Sequence, residues 1–222
     1  MATISGQGFS ESQAATPAYA ARAAMADPAP LGLSALGITM LLFSAINAGW
    51  ISASSTPVVL AIALPYGGIS QALAGMWEFR RGNTFAATAF TSYGAFWISF
   101  VLLNTVFAKD IQAADVSAGL GLYLFAWGLF TLYMLIASLA SARAVTAGFF
   151  LLTLTFFALS IGTWGQSATW NTVGGYLGIA TAILALYISF ANVTKAQFHR
   201  TVLPKGNGTD GHDDEWYLHN GR

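Results

Sequence analysis

The chain has 222 residues, is 55% hydrophobic and only 8% charged, and carries no formal net charge at pH 7. Soluble domains hold about 25% charged residues, so this composition points into a membrane, and the scattered cations exclude a nucleic-acid-binding surface. There is no cysteine, which excludes disulfides, thiolate metal sites and thiol nucleophiles.

Residues 1–26 are a polar, alanine-rich tail without the apolar core of a secretory signal, and Ala18–Ala26 has a helical composition. Six apolar stretches follow, at 31–50, 58–78, 84–107, 118–140, 144–164 and 171–193. Each matches the about 20 residues that cross a hydrocarbon core. The expected fold is all-α: an integral membrane protein with six transmembrane helices in one bundle. The bundle covers 27–193, between a polar tail at 1–26 and a second polar tail at 194–222.

The cations orient this layout. Arg22, Arg80, Arg81, Arg143, Lys195, Arg200, Lys205 and Arg222 fall on one side, and Lys109 falls on the other. Short-loop cations stay in the cytoplasm, so both termini are expected there. Trp50, Trp164 and Trp170 flank spans on the outer side, where interfacial aromatics belong.

Asp27-Pro28 reads as a helix start, since Asp can cap orphan amides and Pro suits the first helical position. Span one aligns Leu36, Thr39, Phe43, Asn47 and Trp50 at spacings of three and four. Asn47 is costly against lipid, so this face should point into protein or a pore. Span two carries Pro65, Gly67 and Gly68, which predicts a kink or unwinding. Its polar face holds Gly67, Gln71, Ala74 and Glu78, and Arg80-Arg81 closes it. Gly82 suits a helix C-terminus and Asn83 the next N-cap, so spans two and three form a tight hairpin. Glu78 sits one turn before Arg81, which fits a membrane-edge ion pair or a proton-coupling group.

Span three has a hydroxyl stripe (Thr84, Thr88, Thr91, Ser99) and an aromatic one (Tyr93, Trp97, Phe100, Asn104). The first reads as interhelical glue or as pathway lining, the second as core or gate. Span six carries Gly174, Gly178 and Ala182, a seam for close helix packing. From Thr194 onward the chain is polar. Within that tail His212-Asp213-Asp214 reads as a solvated acidic run rather than a metal site, and Asn207-Gly208-Thr209 is a glycosylation sequon expected inside the cell.

No Lys or His lies within a span, which excludes a retinal Schiff base and a bis-His haem. No catalytic set, metal site or cofactor is implied. A pathway lined by amides, hydroxyls and helix ends suits a small, weakly charged or protonatable solute.

Asp27, Pro28, Ala29, Pro30, Leu31, Gly32 and Leu33 spell DPAPLGL. This closely resembles the NPAPLGL signature of the acetate uptake transporter family, also called succinate–acetate permeases or the YaaH type. Residues 66–97, YGGISQALAGMWEFRRGNTFAATAFTSYGAFW, resemble that family's second and third spans, and FHRTVLP at 198–204 fits its C-terminal pattern. The resemblance spans about residues 27–204 with three motifs in order.

It implies a six-helix protein of the cell membrane, assembled as a homo-hexamer in the lipid bilayer and moving acetate and related small carboxylates, possibly succinate among them, by proton-coupled uptake or channel-like permeation. It also implies a hydrophobic constriction at Leu36, Tyr93 and Leu152, with Leu36 standing where the family has an aromatic. Tyr93 would both block water and donate a hydrogen bond to a passing carboxylate. Thr39, Asn47, Gln71 and Thr91 would supply donors beside it. Asp27 replaces the family Asn, keeping a capping oxygen and adding a charge. The alternatives are a channel for a small neutral solute such as urea, and a structural membrane protein with an occluded core.

Overall fold

Six helices are long and apolar enough to cross a membrane: α1 (Ala29–Asn47), α2 (Ala53–Arg81), α3 (Thr84–Asp110), α4 (Val116–Ser138), α5 (Arg143–Trp164) and α6 (Ala168–Phe198). They come from a computed structural model that describes residues 25–206. Among the described residues the secondary structure is helical throughout. Even α1, with 19 residues, reaches about 28 Å at a rise of about 1.5 Å per residue, close to a hydrocarbon thickness of about 30 Å. The expected spans therefore stand within a few residues at each end. The sequon and the His212-Asp213-Asp214 run, with most of the N-terminal tail, lie outside the described residues.

The spans close into a ring. α1 packs on α6, α6 on α5, α5 on α4, and α2 on both α1 and α3. Small residues let the backbones approach, as membrane helices require. A Cβ on Gly94 of α3 would stand 2.8 Å from Ala72 N and from Gly68 O of α2. The predicted seam on α6 is packed on two sides. Gly174 abuts Leu159 of α5, Gly178 abuts Ser44 of α1, and Ala182 is fully buried. α3 and α4 meet differently, through side chains rather than backbones. Phe96 stacks on Tyr123 at 5.7 Å, and Tyr123 shares a 2.7 Å hydrogen bond with Ser99.

Pro65, Gly67 and Gly68 do unwind α2. Residues Ala63–Ser70 form a π-helix inside the span. Gly82 closes α2 in the left-handed region (φ 75°), and the Asn83 side chain accepts from Ala86 N at 3.1 Å. The hairpin between α2 and α3 therefore has the geometry that its residues predict.

The start of α1 is shifted by one residue from expectation. Pro28 is the N-cap rather than the first helical residue, and Pro30 occupies the first turn. Asp27 still caps, because its Oδ1 accepts from Ala29 N at 3.1 Å. At the other end, α6 runs past residue 193 to Phe198, so part of the expected tail is helix. His199 then turns left-handed (φ 54°). The chain folds back as a strap over residues 199–206. Tyr187 Oη donates to Pro204 O at 2.6 Å, and Ala144 N donates to Lys205 O at 3.0 Å.

Candidate functional site

Two cavities lie inside the ring, and Leu36, Tyr93 and Leu152 line both. α1, α3 and α5 each contribute one of the three. The wider cavity holds about 300 Å³ and reaches the bundle end that carries the starts of α1, α3 and α5. Ala29, Asn83, Ser141, Ala142, Asn192 and Lys205 mark that mouth. The narrower cavity holds about 10 Å³, room for about one water. Its walls include Met40, Phe43, Phe96, Trp97, Phe156 and Leu159. The hydroxyl of its one Thr, Thr155, donates to Leu151 O at 2.8 Å, so it offers the cavity little polarity.

Aromatic packing fixes this narrow region. Tyr93 is 2% exposed and packs edge-on against Phe130 at 5.4 Å, with Trp127 and Phe149 tilted beside it. Phe43 lies edge-on to Trp97 at 5.8 Å and to Phe100 at 5.2 Å. Leu152 is 3% exposed. Of the Tyr93–Trp97–Phe100 stripe, Tyr93 and Trp97 are core residues that also line the narrow cavity, and Phe100 is core.

One expectation about Tyr93 is corrected. Its hydroxyl donates to Thr131 Oγ1 on α4 at 3.0 Å, and Thr131 in turn donates to Trp127 O at 2.7 Å. The phenol proton is engaged by protein, and Tyr93 lines both cavities with that proton already taken. Thr131 is a participant that sequence reading passed over. Its signal is the one Thr of α4, set among apolar and aromatic residues.

The expected donors separate into two groups. Gln71 lines the wide cavity, is fully buried, and has no hydrogen-bond partner for either amide atom. Thr39 is fully buried with an unpartnered Oγ1 that faces Gly67, and Trp97 Nε1 is unpartnered on the same side of Gly67. Thr91 Oγ1 is also unpartnered and lies against Gly75. Asn47 behaves otherwise. It lines neither cavity, and its amide donates to Phe43 O of its own helix at 2.9 Å. A polar residue near a helix end can satisfy itself on the preceding turn, which removes the lipid penalty that would drive it inward.

Glu78 is fully buried in α2, with the Arg81 guanidinium 3.6 Å from one oxygen. Arg81 also pairs with Asp27, closer than it stands to Glu78. One cation thus ties the start of α1 to the end of α2. Of the signature residues, Ala29 and Leu33 line the wide cavity, and Gly32 lets Phe90 of α3 approach α1.

The pattern described as the GPR1/FUN34/yaaH family matches residues 9–207. The chain is 40% identical over 182 residues to the "Succinate-acetate/proton symporter SatP" of Escherichia coli (strain K12), covering 82% of this chain and 96% of that one. It is 36% identical to "Acetate permease A" of Emericella nidulans, covering 81% of this chain and 65% of that one. A solved structure, "Structure of the bacterial acetate channel SatP", superposes with a TM-score of 0.76 at 39% identity. It covers 81% of this chain and 98% of that chain.

Proposed function

Because the chain belongs to the GPR1/FUN34/yaaH family, we propose that it carries acetate and related small monocarboxylates across the cell membrane through the path that its two cavities mark. The observation that carries this reading is the constriction itself: Leu36, Tyr93 and Leu152 are the residues common to the wide and the narrow cavity. Unpartnered buried donors at Gln71, Thr39 and Trp97 accompany it. A bare carboxylate in so apolar a gap loses hydration at high cost. Passage is easiest for the protonated acid, or for an anion moving together with a proton.

On this reading Leu36, Tyr93 and Leu152 exclude water and set the size limit. Gln71 and Thr39 offer hydrogen bonds to a carboxyl group on its way. Thr91 and the Glu78–Arg81 pair hold α2 against its neighbours. Both chain ends face the cytoplasm, which the cation asymmetry supports. The protein assembles as a homo-hexamer, and the exposed apolar face of α2 (Leu73, Met76, Trp77) suits burial against lipid or a second copy.

Labelled acetate uptake into proteoliposomes, with and without a protonophore, tests the proposal. Acetate flux that acidifies the lumen supports it. Urea flux without acetate flux would replace it with a neutral-solute channel, and no flux of either would leave a structural role.

A further inference from the structure

The constriction residues have a second tier beyond them. Met40 stands four residues after Leu36 on α1, Trp97 four after Tyr93 on α3, and Phe156 four after Leu152 on α5. A step of four keeps each on the same face of its helix, about 6 Å further along the axis. All three are buried, and they line the narrow cavity and not the wide one.

Phe96, beside Trp97, closes this tier. Its ring meets Phe156 at 5.3 Å and 90°. α3 and α5 are not neighbours in the ring of helices, and this contact lies inside it, where both residues line the narrow cavity. That cavity holds about 10 Å³, room for about one water and none for a carboxylic acid. A solute that passes this tier has to part Phe96 from Phe156.

Phe96 is held from behind. Tyr123 of α4 stacks on it at 5.7 Å and 19°. Tyr123 Oη, Ser99 Oγ and Phe96 O form a triangle with sides of 2.7, 2.9 and 3.1 Å, joined by the two hydroxyl protons. The triangle ties Tyr123 to the backbone of the residue whose ring it covers. Because α3 and α4 meet through side chains rather than backbones, these contacts set where the Phe96 ring sits.

We propose that Phe96 and Phe156 form a second closure of the pathway, one turn beyond Leu36, Tyr93 and Leu152, and that Tyr123 is the positioning residue that keeps Phe96 in it. This rests on the transport reading above and deepens it. A solute in the wide cavity crosses two tiers in turn, and the second is shut by two aromatic rings.

Access to the second tier is measured directly in this cysteine-free chain. Met40→Cys puts a thiol in the narrow cavity. Its modification by methyl methanethiosulfonate is followed by mass spectrometry on detergent-solubilised full-length protein, and it should be slow. Adding Tyr123→Phe keeps the ring stack, removes one hydroxyl and should speed the reaction about fivefold. Adding Phe156→Leu should speed it about tenfold. Phe125→Leu is the control. Phe125 also lies on α4, but it packs on Phe157 and Trp164 and lines neither cavity, so the rate should stay within about twofold.

Three results would overturn the proposal: a Met40→Cys thiol as reactive as an exposed one at Thr201→Cys, a rate unchanged by Tyr123→Phe or by Phe156→Leu, or an equal gain with Phe125→Leu, which would assign the effect to general loosening. Acetate flux into proteoliposomes is measured on the unsubstituted protein alongside. Thiol access gated by Tyr123 and Phe156 without acetate flux sinks the transport reading and keeps the second closure. Acetate flux with ungated access does the reverse.

Discussion

Tyr93 Oη donates to Thr131 Oγ1 across 3.0 Å, and this bond joins the residues shared by the two cavities, Leu36, Tyr93 and Leu152, to α4, a helix that contributes none of those three. It fixes the plane of the Tyr93 ring, which a hydroxyl left to follow a passing solute would not. Its energy is modest, about 1 kcal/mol for a neutral hydrogen bond. Its geometric effect is larger, because a ring held from both ends cannot swing aside without breaking it.

Tyr93→Phe should therefore keep a nearly normal substrate profile. The ring remains, and Thr131 still donates to Trp127 O at 2.7 Å. A stability loss of about 1 kcal/mol is expected. Tyr93→Ala should loosen discrimination between acetate and larger acids, and as a large-to-small core change it should destabilise by about 3–5 kcal/mol. Competition of labelled acetate uptake by propionate, lactate and succinate, at matched expression, distinguishes ring from hydroxyl. If Tyr93→Phe loosens the profile as much as Tyr93→Ala, the hydroxyl itself meets the substrate.

Leu152→Ala and Leu36→Phe should act in opposite directions. Leu152 is 3% exposed, so its truncation widens the gap and admits lactate as a stronger competitor while acetate transport survives. Leu36→Phe adds a ring on the facing helix and should weaken competition by propionate. The same competition series reads both. Parallel shifts in the two variants would remove Leu36 and Leu152 from the pathway.

Arg81→Met should reveal the ion pair. It leaves the buried Glu78 carboxylate facing one cation fewer and releases Asp27 from α2. The expected cost is roughly 2–3 kcal/mol, below that of a fully buried pair because Arg81 keeps contact with water. Asp27→Asn retains an oxygen for Ala29 N and should cost less than about 1 kcal/mol. Thermal unfolding in detergent checks both. A pH profile of acetate flux unchanged in Glu78→Gln would confine Glu78 to this structural role.

Gly178→Leu should break the α1–α6 contact. A Cβ at Gly178 already overlaps Ser44 Oγ, and overpacking costs about 1–3 kcal/mol. A lower unfolding temperature and loss of the assembled species on size exclusion are expected. Wild-type behaviour would mean that α1 and α6 separate more readily than their packing implies.

Both termini should be cytoplasmic. Ser55→Cys, at a partly exposed position, and Thr201→Cys, at an exposed one, lie at opposite ends of the bundle in this cysteine-free chain. An impermeant thiol reagent added to cells should label the first and spare the second. The reverse pattern would invert the layout.

Much of the fold was legible because membrane insertion imposes long-period signals. Apolar length and Gly82-Asn83 each report a local constraint that tertiary context cannot override. Pairings across the ring were harder to read. Thr131 meets Tyr93 from a different helix, and the one Thr of α4 does not by itself announce that partner. Asn47 was misplaced because a cost in lipid can be relieved on its own helix as well as in a pore. Lys205 was legible only as one more orienting cation. Its place on a cavity rim depends on His199 reversing the chain, and a left-handed non-glycine residue has no sequence signature of its own.

The π-helix in α2 has a consequence for how this span tolerates change. Val59, Ala63, Gly67 and Gln71 recur at intervals of four, and all are buried. In a regular α-helix each such interval overshoots a full turn by about 40°, so the column would drift about 120° around the axis. The wider turn over Ala63–Ser70 takes in an extra residue and cancels much of that drift. The span is thus kept in phase by one residue. Deleting a single position there would let the turn rewind to a regular α-helix, whose steps of about 100° bring Val59 back to within about 20° of its place relative to Gln71. A one-residue deletion in this stretch is consequently milder than the same deletion in a regular part of α2, which would turn everything before it by about 100°.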